Sequence, residues 1–210
     1  MAYAHVDFPA LERKHLVDAK LFAHRVDMVS WFGTFGGTIA ELGVAAGDFS
    51  NVMIERLKPS KFVAIDLFDM HKYPVIWGRP SSELFNNKTQ LDFFRDRFSG
   101  EGDRLVTEVG LSYEMLGKYP DHSFDLIYVD AGHDYESVKR DAEISARKLK
   151  STGTIIFNDY VLYDPFGEGP YGVVQAVNEL VTSGDFSVTG FALEKNMFCD
   201  IAVKRTRSFA

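Results

Sequence analysis

The sequence predicts an α/β fold: a doubly wound, mostly parallel seven-stranded sheet with helices on both faces and one antiparallel strand near the C-terminus. Three observations carry this. Short apolar runs alternate with amphipathic stretches from residue 38 onward, the βα repeat that builds parallel sheets. The run from Thr38 to Ser50, TIAELGVAAGDFS, reads as a buried strand, a tight glycine turn and a helix start. The last two apolar stretches, 186–193 and 197–204, have no helical pattern between them. They pair as a hairpin, which reverses one strand.

The elements follow in order. Residues 9–31 place Phe22, Val26 and Val29 on one helical face, so a helical cap is expected over 1–35. The first strand covers 38–43. A helix follows Asp48, a good N-cap residue, and stops before Pro59. The second strand ends in Asp66. Met70 to Pro80 is a long aromatic loop, and such loops inside domains tend to carry function. Leu84, Lys88, Leu91, Phe94 and Phe98 mark the next helix, with Lys88 extending its head toward water. Strands at 104–109 and 124–130 come next. A helix over 135–149 turns Tyr135, Val138, Ala142 and Leu149 inward, capped by Asp134. Gly153 precedes a strand at 154–159, and a loop at 160–171 leads to a helix bearing Val174, Val177 and Val181. The chain reads as one domain, 1–210, with 67–100 and 160–171 as substrate-side insertions.

Composition narrows the function classes. The chain has 210 residues, a net charge of −7, and 46% hydrophobic and 25% charged residues, ordinary for one α/β globule. No Lys/Arg run exceeds two residues, which argues against a nucleic-acid partner. No apolar run reaches the ~18 residues of a membrane span, and no signal-peptide pattern opens the chain. The single cysteine, Cys199, sits in an apolar strand pattern and reads as packing. A reduced, cytoplasmic protein is expected. A homodimer covering the aromatic N-terminal region is compatible with this reading.

The glycine turn carries the chemistry. Gly43 and Gly47 form Glu-x-Gly-x-x-x-Gly with Glu41, and Asp66 follows 23 residues after Gly43. Glycine at such a turn lets a ligand approach the backbone, and an acid at the next strand tip accepts from ribose hydroxyls. There is no G-x-G-x-x-G and no phosphate loop. Glu41 would repel a pyrophosphate and favour a cationic ligand. S-Adenosylmethionine has a sulfonium, an ammonium and no phosphate. The cofactor-binding candidates are Glu41, Gly43, Gly47, Ser50, Asp66 and Asp130.

In open α/β sheets, ligands sit beyond the carboxyl ends of the strands. Asp130, His133, Asn158 and Asp159 gather there in this reading. Oxygen donors from two adjacent strand ends suit Mg²⁺, and a bound cation lowers the pKa of a substrate hydroxyl. His133 has the intrinsic basicity of a general base near neutrality.

At these residues the sequence resembles the class I S-adenosylmethionine-dependent methyltransferases, and among them the branch of the macrocin and mycinamicin O-methyltransferases, which methylate macrolide sugars. The resemblance spans about 36–204. It is most specific at 124–141, FDLIYVDAGHDYESVKRD, and is supported by 149–160 and by Gly172–Val177. It implies a Rossmann-like fold, Mg²⁺ held by Asp130, Asn158 and Asp159, and His133 as base. The family's pair at 158–159 is often two acids, whereas this chain has Asn158. The chain also lacks the [D/N]-P-P-[Y/F] of DNA-base N-methylating branches, having Asp130-Ala131-Gly132-His133 instead. A small-molecule hydroxyl acceptor, a sugar, polyol or natural product, is expected. Trp77, Tyr73, Tyr163, Phe166 and Tyr171 are candidates to stack on it. A metal-independent methyltransferase and a non-catalytic S-adenosylmethionine-binding protein are the alternatives.

Overall fold

Ile39–Leu42, Phe62–Ile65, Leu126–Val129 and Ile155–Phe157 are buried along their whole lengths, as parallel strands covered on both faces must be. In this computed structural model, which describes residues 7–206, they form the centre of an eight-stranded sheet. Residues 1–6 of the expected cap, His5 among them, and 207–210 lie outside the described residues.

The strands are β1 (Leu16–Phe22), β2 (Thr38–Leu42), β3 (Lys61–Asp66), β4 (Leu105–Val109), β5 (Phe124–Val129), β6 (Leu149–Phe157), β7 (Phe186–Ala192) and β8 (Asp200–Arg205). The helices are α1 (Arg25–Phe32), α2 (Asp48–Leu57), α3 (Ser81–Leu84), α4 (Gln90–Arg97), α5 (Ser112–Gly117), α6 (Tyr135–Lys148) and α7 (Val173–Thr182). The strand order is β1-β7-β8-β6-β5-β2-β3-β4. Strand β8 runs antiparallel to both neighbours, and the other pairings are parallel. The chain leaves β2 toward β3 and β4, then returns to place β5 on the other side of β2. The switch point where ligands bind in such sheets therefore lies between the ends of β2 and β5.

Two cores flank the sheet. On one face Val138 and Ala142 of α6 and Val173, Ala176, Val177 and Val181 of α7 pack on Ala40, Leu42, Ile127, Val129 and Phe157. On the other, Met28 and Val29 of α1, Phe49 and Met53 of α2 and Phe94 of α4 pack on Ile39, Phe62, Leu126 and Ile156. No helix among the described residues is long and apolar enough to cross a membrane.

The structure departs from the sequence reading in several places, one being β6, which begins at Leu149 and contains Gly153 rather than following it. Residues 9–31 are not one helix: β1 pairs in parallel with β7, and only Arg25–Phe32 is α-helical. The sheet thus has eight strands rather than seven. Gly47, in left-handed conformation, is the N-cap of α2; Asp48 is its first residue, and its carboxylate pairs with Arg97 at 2.7 Å. The helix expected from 84 to 98 is interrupted. Asn86 and Asn87 both take positive φ, and Thr89 caps a new helix by accepting from Asp92 N–H. Lys88 pairs with Asp96 at the surface. The other expected cap is observed: Asp134 accepts from Ser137 N–H at 3.1 Å to start α6.

Candidate active site

Beyond the carboxyl ends of β2, β3 and β5 lies a cavity of about 900 Å³, at the large end of the ~300–1,000 Å³ usual for small-molecule sites. Its wall includes Glu41, Gly43, Asp66, Asp130, His133, Asn158 and Asp159. Seven of the nine predicted site residues are therefore brought together.

Gly43 closes the turn after β2. Its φ is +82°, and a Cβ there would stand 2.6 Å from the carbonyl carbon of Asp130 and 2.7 Å from Ala131 Cα. The missing side chain makes room for the end of the neighbouring strand. Gly47 is similar: a Cβ would meet the rings of Phe98 and Phe94 at 2.6 and 2.9 Å, and Gly47 does not line the cavity. Ser50 is fully buried on α2 and donates its hydroxyl to Glu41. Its hydroxyl serves the buried acid rather than the cavity. Burial pushes the Glu41 carboxyl well above the usual carboxylate range, against the lowering effect of the Ser50 bond.

Asp66 holds the glycine turn. Its Oδ2 accepts from Val44 N–H at 2.8 Å and Ala45 N–H at 3.2 Å, and its Oδ1 accepts from Phe68 N–H at 2.7 Å. A carboxylate has about four lone-pair directions, so little capacity remains for ribose hydroxyls. Asp69 lines the same wall and supplies a second acid there.

His133 stands at the opposite wall. Its Nε2 is buried with no hydrogen-bond partner, 3.6 Å from Asp130 Oδ1 and 3.5 Å from Asp159 Oδ2. Tyr171 stacks on the imidazole with centroids 4.5 Å apart and planes 18° apart. Burial lowers the His133 pKa, partly offset by Asn158 and by the charges of Asp164 and Asp134. Burial and the facing Asp159 push Asp130 well up, against Arg25. Asp159, in left-handed conformation with φ 53°, is pushed up to about 6, chiefly by burial.

Asn158 donates its amide N–H to Asp200 Oδ1 at 3.0 Å. Among the described residues no three His, Cys, Asp or Glu side chains converge as a metal shell. The oxygens of Asp130, Asp159 and Asn158 are nonetheless a hard donor set at adjacent strand ends, which fits Mg²⁺ with the rest of its shell as water.

Sequence reasoning missed Asp69 and, more importantly, Arg25. Arg25, the first residue of α1, lines the cavity. Its Nη1 donates to Tyr128 Oη at 3.2 Å and lies 3.9 Å from Asp130 Oδ2. Its Cζ sits 4.4 Å over the Phe49 ring, a cation–π contact. Tyr128 in turn donates to Asp200 Oδ2 at 2.7 Å. Burial alone would lower the Arg25 pKa, but Tyr128, Asp200 and Asp130 outweigh it and keep the guanidinium charged. No local motif marks Arg25, because Tyr128 and Asp130, its polar partners at the site, lie more than 100 residues away. Of the five candidate stacking residues, Trp77 and Tyr171 line the cavity, whereas Tyr73, Tyr163 and Phe166 do not. Trp77 forms the tip of a tight hairpin between Ile76 and Arg79.

Comparisons with known proteins identify the family and the fold. A family model described as a methyltransferase domain matches residues 40–160. No curated protein sequence matches the chain. Among solved structures, the fold is similar to the pyocyanin biosynthetic protein PhzM at 14% identity and TM-score 0.59, covering 86% of this chain and 54% of that one. The chain thus spans about half the length of that relative. A putative type 11 methyltransferase from Sulfolobus solfataricus is 19% identical with TM-score 0.57, covering 87% and 92% of the two chains. A putative rRNA-methylase from Clostridium thermocellum is 13% identical with TM-score 0.61, covering 88% and 94%. At these identities the structures speak for the fold. With the family model spanning more than half its length, the chain belongs to the methyltransferase-domain family and is a class I S-adenosylmethionine-dependent methyltransferase.

Proposed function

We propose that this enzyme transfers the methyl group of S-adenosylmethionine to a hydroxyl of a small molecule, a sugar, polyol or natural product, with His133 taking the hydroxyl proton. The observation that carries the reading is the unpartnered, buried Nε2 of His133 on the cavity wall, flanked by Asp130 and Asp159. Burial keeps the ring neutral near pH 7, the state a base needs. The acceptor oxygen attacks the methyl carbon as the S–CH₃ bond breaks. A methyl ether and neutral S-adenosylhomocysteine form, and the proton passes to Nε2. The resulting imidazolium would lie between two carboxylates, which favours charge that appears during reaction.

The acidic wall supports the cofactor end of the reading. Six carboxyl side chains line the cavity, from Glu41, Asp48, Asp66, Asp69, Asp130 and Asp159, against two guanidiniums. The ionised members of this wall attract a sulfonium and lose that attraction once the methyl is gone. The net charge of −7 and the lack of basic runs favour a small acceptor over a nucleic acid. The resemblance at 124–141 favours the macrolide-sugar branch and oxygen as the acceptor atom.

A cation-assisted form of this reaction is the second reading, favoured by the Asp130, Asp159 and Asn158 oxygen set. Those three residues would hold Mg²⁺, which would lower the pKa of a bound hydroxyl. Label transfer from methyl-labelled S-adenosylmethionine to a panel of sugars, polyols and phenols tests the proposal. With an acceptor in hand, His133→Ala is expected to lower kcat by ~10²–10⁴-fold with cofactor affinity kept. Full turnover in that variant would exclude His133 as base. Calorimetric titration of chelator-treated protein with Mg²⁺, beside Asp159→Asn, separates the two readings: a heat lost in the variant supports the cation.

A further inference from the structure

We propose that Arg25 binds the methionyl carboxylate of S-adenosylmethionine. A guanidinium has five N–H donors in a planar fork. Arg25 commits Nη1 to Tyr128 and stands 3.9 Å from Asp130, beyond a paired hydrogen bond. Its Nε and Nη2 have no protein partner among the described residues, and the side chain lines the cavity. A partly buried guanidinium with its fork open to a cavity is a receptor for a planar anion.

The backbone holds this fork in place. Arg25 N–H donates to the Glu194 carboxylate, while Leu193 N–H and Glu194 N–H donate to Phe22 O and Ala23 O at 3.0 and 3.2 Å. The Phe49 ring supports the guanidinium from one side. The site is therefore built before any ligand arrives, which limits the cost of ordering.

The ligand's chemistry selects the group. S-Adenosylmethionine carries one anion, its carboxylate, beside an ammonium and a sulfonium. Glu41, Gly43 and Asp130 share the wall with Arg25 at the switch point between β2 and β5. An amino-acid tail there sets its ammonium against carboxyl groups and its carboxylate against Arg25. The other guanidinium on the cavity, Arg79, sits on the 75–80 hairpin close to Trp77 in sequence rather than on an element of the main sheet.

The assignment rests on cofactor use alone and not on the hydroxyl acceptor or the cation. It is tested by calorimetry with two probes, S-adenosylmethionine and its decarboxylated analogue. The analogue keeps the sulfonium and amine, and its net positive charge is one unit larger. An acid-lined cavity without Arg25 would prefer it. Wild type is expected to bind S-adenosylmethionine at least tenfold more tightly than the analogue. Arg25→Met is expected to lose that preference by weakening S-adenosylmethionine alone, with the analogue within threefold of wild type. Arg79→Met is expected to keep it. Arg25→Lys, which keeps the charge and loses the fork, is expected to fall between wild type and Met, and serves if the Met variant does not fold. Equal wild-type affinity for the two probes overturns the assignment. So does an Arg25 variant that keeps the preference or loses both probes equally, or an Arg79 variant that abolishes it.

Discussion

Replacing Gly43 by alanine asks whether the turn after β2 is shaped by the neighbouring strand. Gly43 has φ +82°, a left-handed value that costs an L-residue ~1–2 kcal/mol. Its new Cβ would meet Asp130 C at 2.6 Å and Ala131 Cα at 2.7 Å, with the Asp130 oxygen closer still. These are main-chain atoms, so no rotamer change relieves the contact, and overpacking of this kind costs a further ~1–3 kcal/mol. The expected loss is therefore ~2–5 kcal/mol, a large share of the ~5–15 kcal/mol that holds a typical domain together. Gly36 supplies the internal control. Its φ is +71°, and nothing lies within 4 Å of its would-be Cβ, so Gly36→Ala carries the conformational cost alone. Urea unfolding of both variants at a common m-value reads the difference. Gly43→Ala should be the less stable by at least ~1 kcal/mol. It should also bind S-adenosylmethionine more weakly, because relief of the contact moves Asp130. Equal stability of the two variants, with cofactor affinity intact, would refute the packing argument.

The other predictions concern buried acids and the placement of the base. Asp141 on α6 is fully buried, and burial pushes it up to about 7. Its folded pKa lies above its unfolded one, so the stability it affects is highest below about pH 4 and falls as pH rises toward 7. Asp141→Asn should remove that fall and stabilise the protein by a few kcal/mol at pH 8, read by unfolding at pH 5 and 8; a variant less stable at pH 8 would contradict it. Ser50→Ala leaves Glu41 without its donor and should cost ~1–3 kcal/mol, visible as a lower urea midpoint, and an unchanged midpoint would count against the pairing. Tyr171→Leu removes the ring stacked on His133 and should lower kcat roughly tenfold or more. Tyr171→Phe keeps the stack and should stay near wild type, and equal rates for the two would show that the stack does not position the base.

The centre of this fold was legible because its strands are continuous apolar runs bounded by glycine, proline and acids. The acids and His133 were legible because they stand at strand ends, where open α/β sheets place their ligands. Strand β1 was not. Leu16 and Leu21 are exposed, as are Asp18, Ala19 and Lys20, so the described side chains from Asp18 to Leu21 show no alternation with an apolar inner face. What holds it is main-chain pairing to β7, formed by residues some 170 positions later. The directions of Ser50 and Asn158 were illegible for a related reason. Their partners, Glu41 and Asp200, lie on other elements, and only packing decides that Ser50 turns to the buried acid and that Asn158 turns its amide to Asp200.

Asp200 shows how the reversed strand serves the site. Parallel strands of an α/β sheet deliver their last residues to the ligand edge, as β5 does before Asp130 and β6 before Asn158. A strand running the other way delivers its first residue there instead. Ile201 of β8 pairs with Phe157, which sets Asp200 level with Asn158 at the carboxyl edge. Buried and pushed up to about 7 by that burial, Asp200 accepts from Tyr128 on one side and Asn158 on the other. Through Tyr128 it steadies the hydroxyl that Arg25 uses, and it holds the Asn158 amide directly. One acid on the reversed strand β8 thus holds a partner of Arg25 and the Asn158 amide together. In the register observed, a parallel strand at that position would carry Asp200 to the opposite end of the sheet and leave both Arg25 and Asn158 without it.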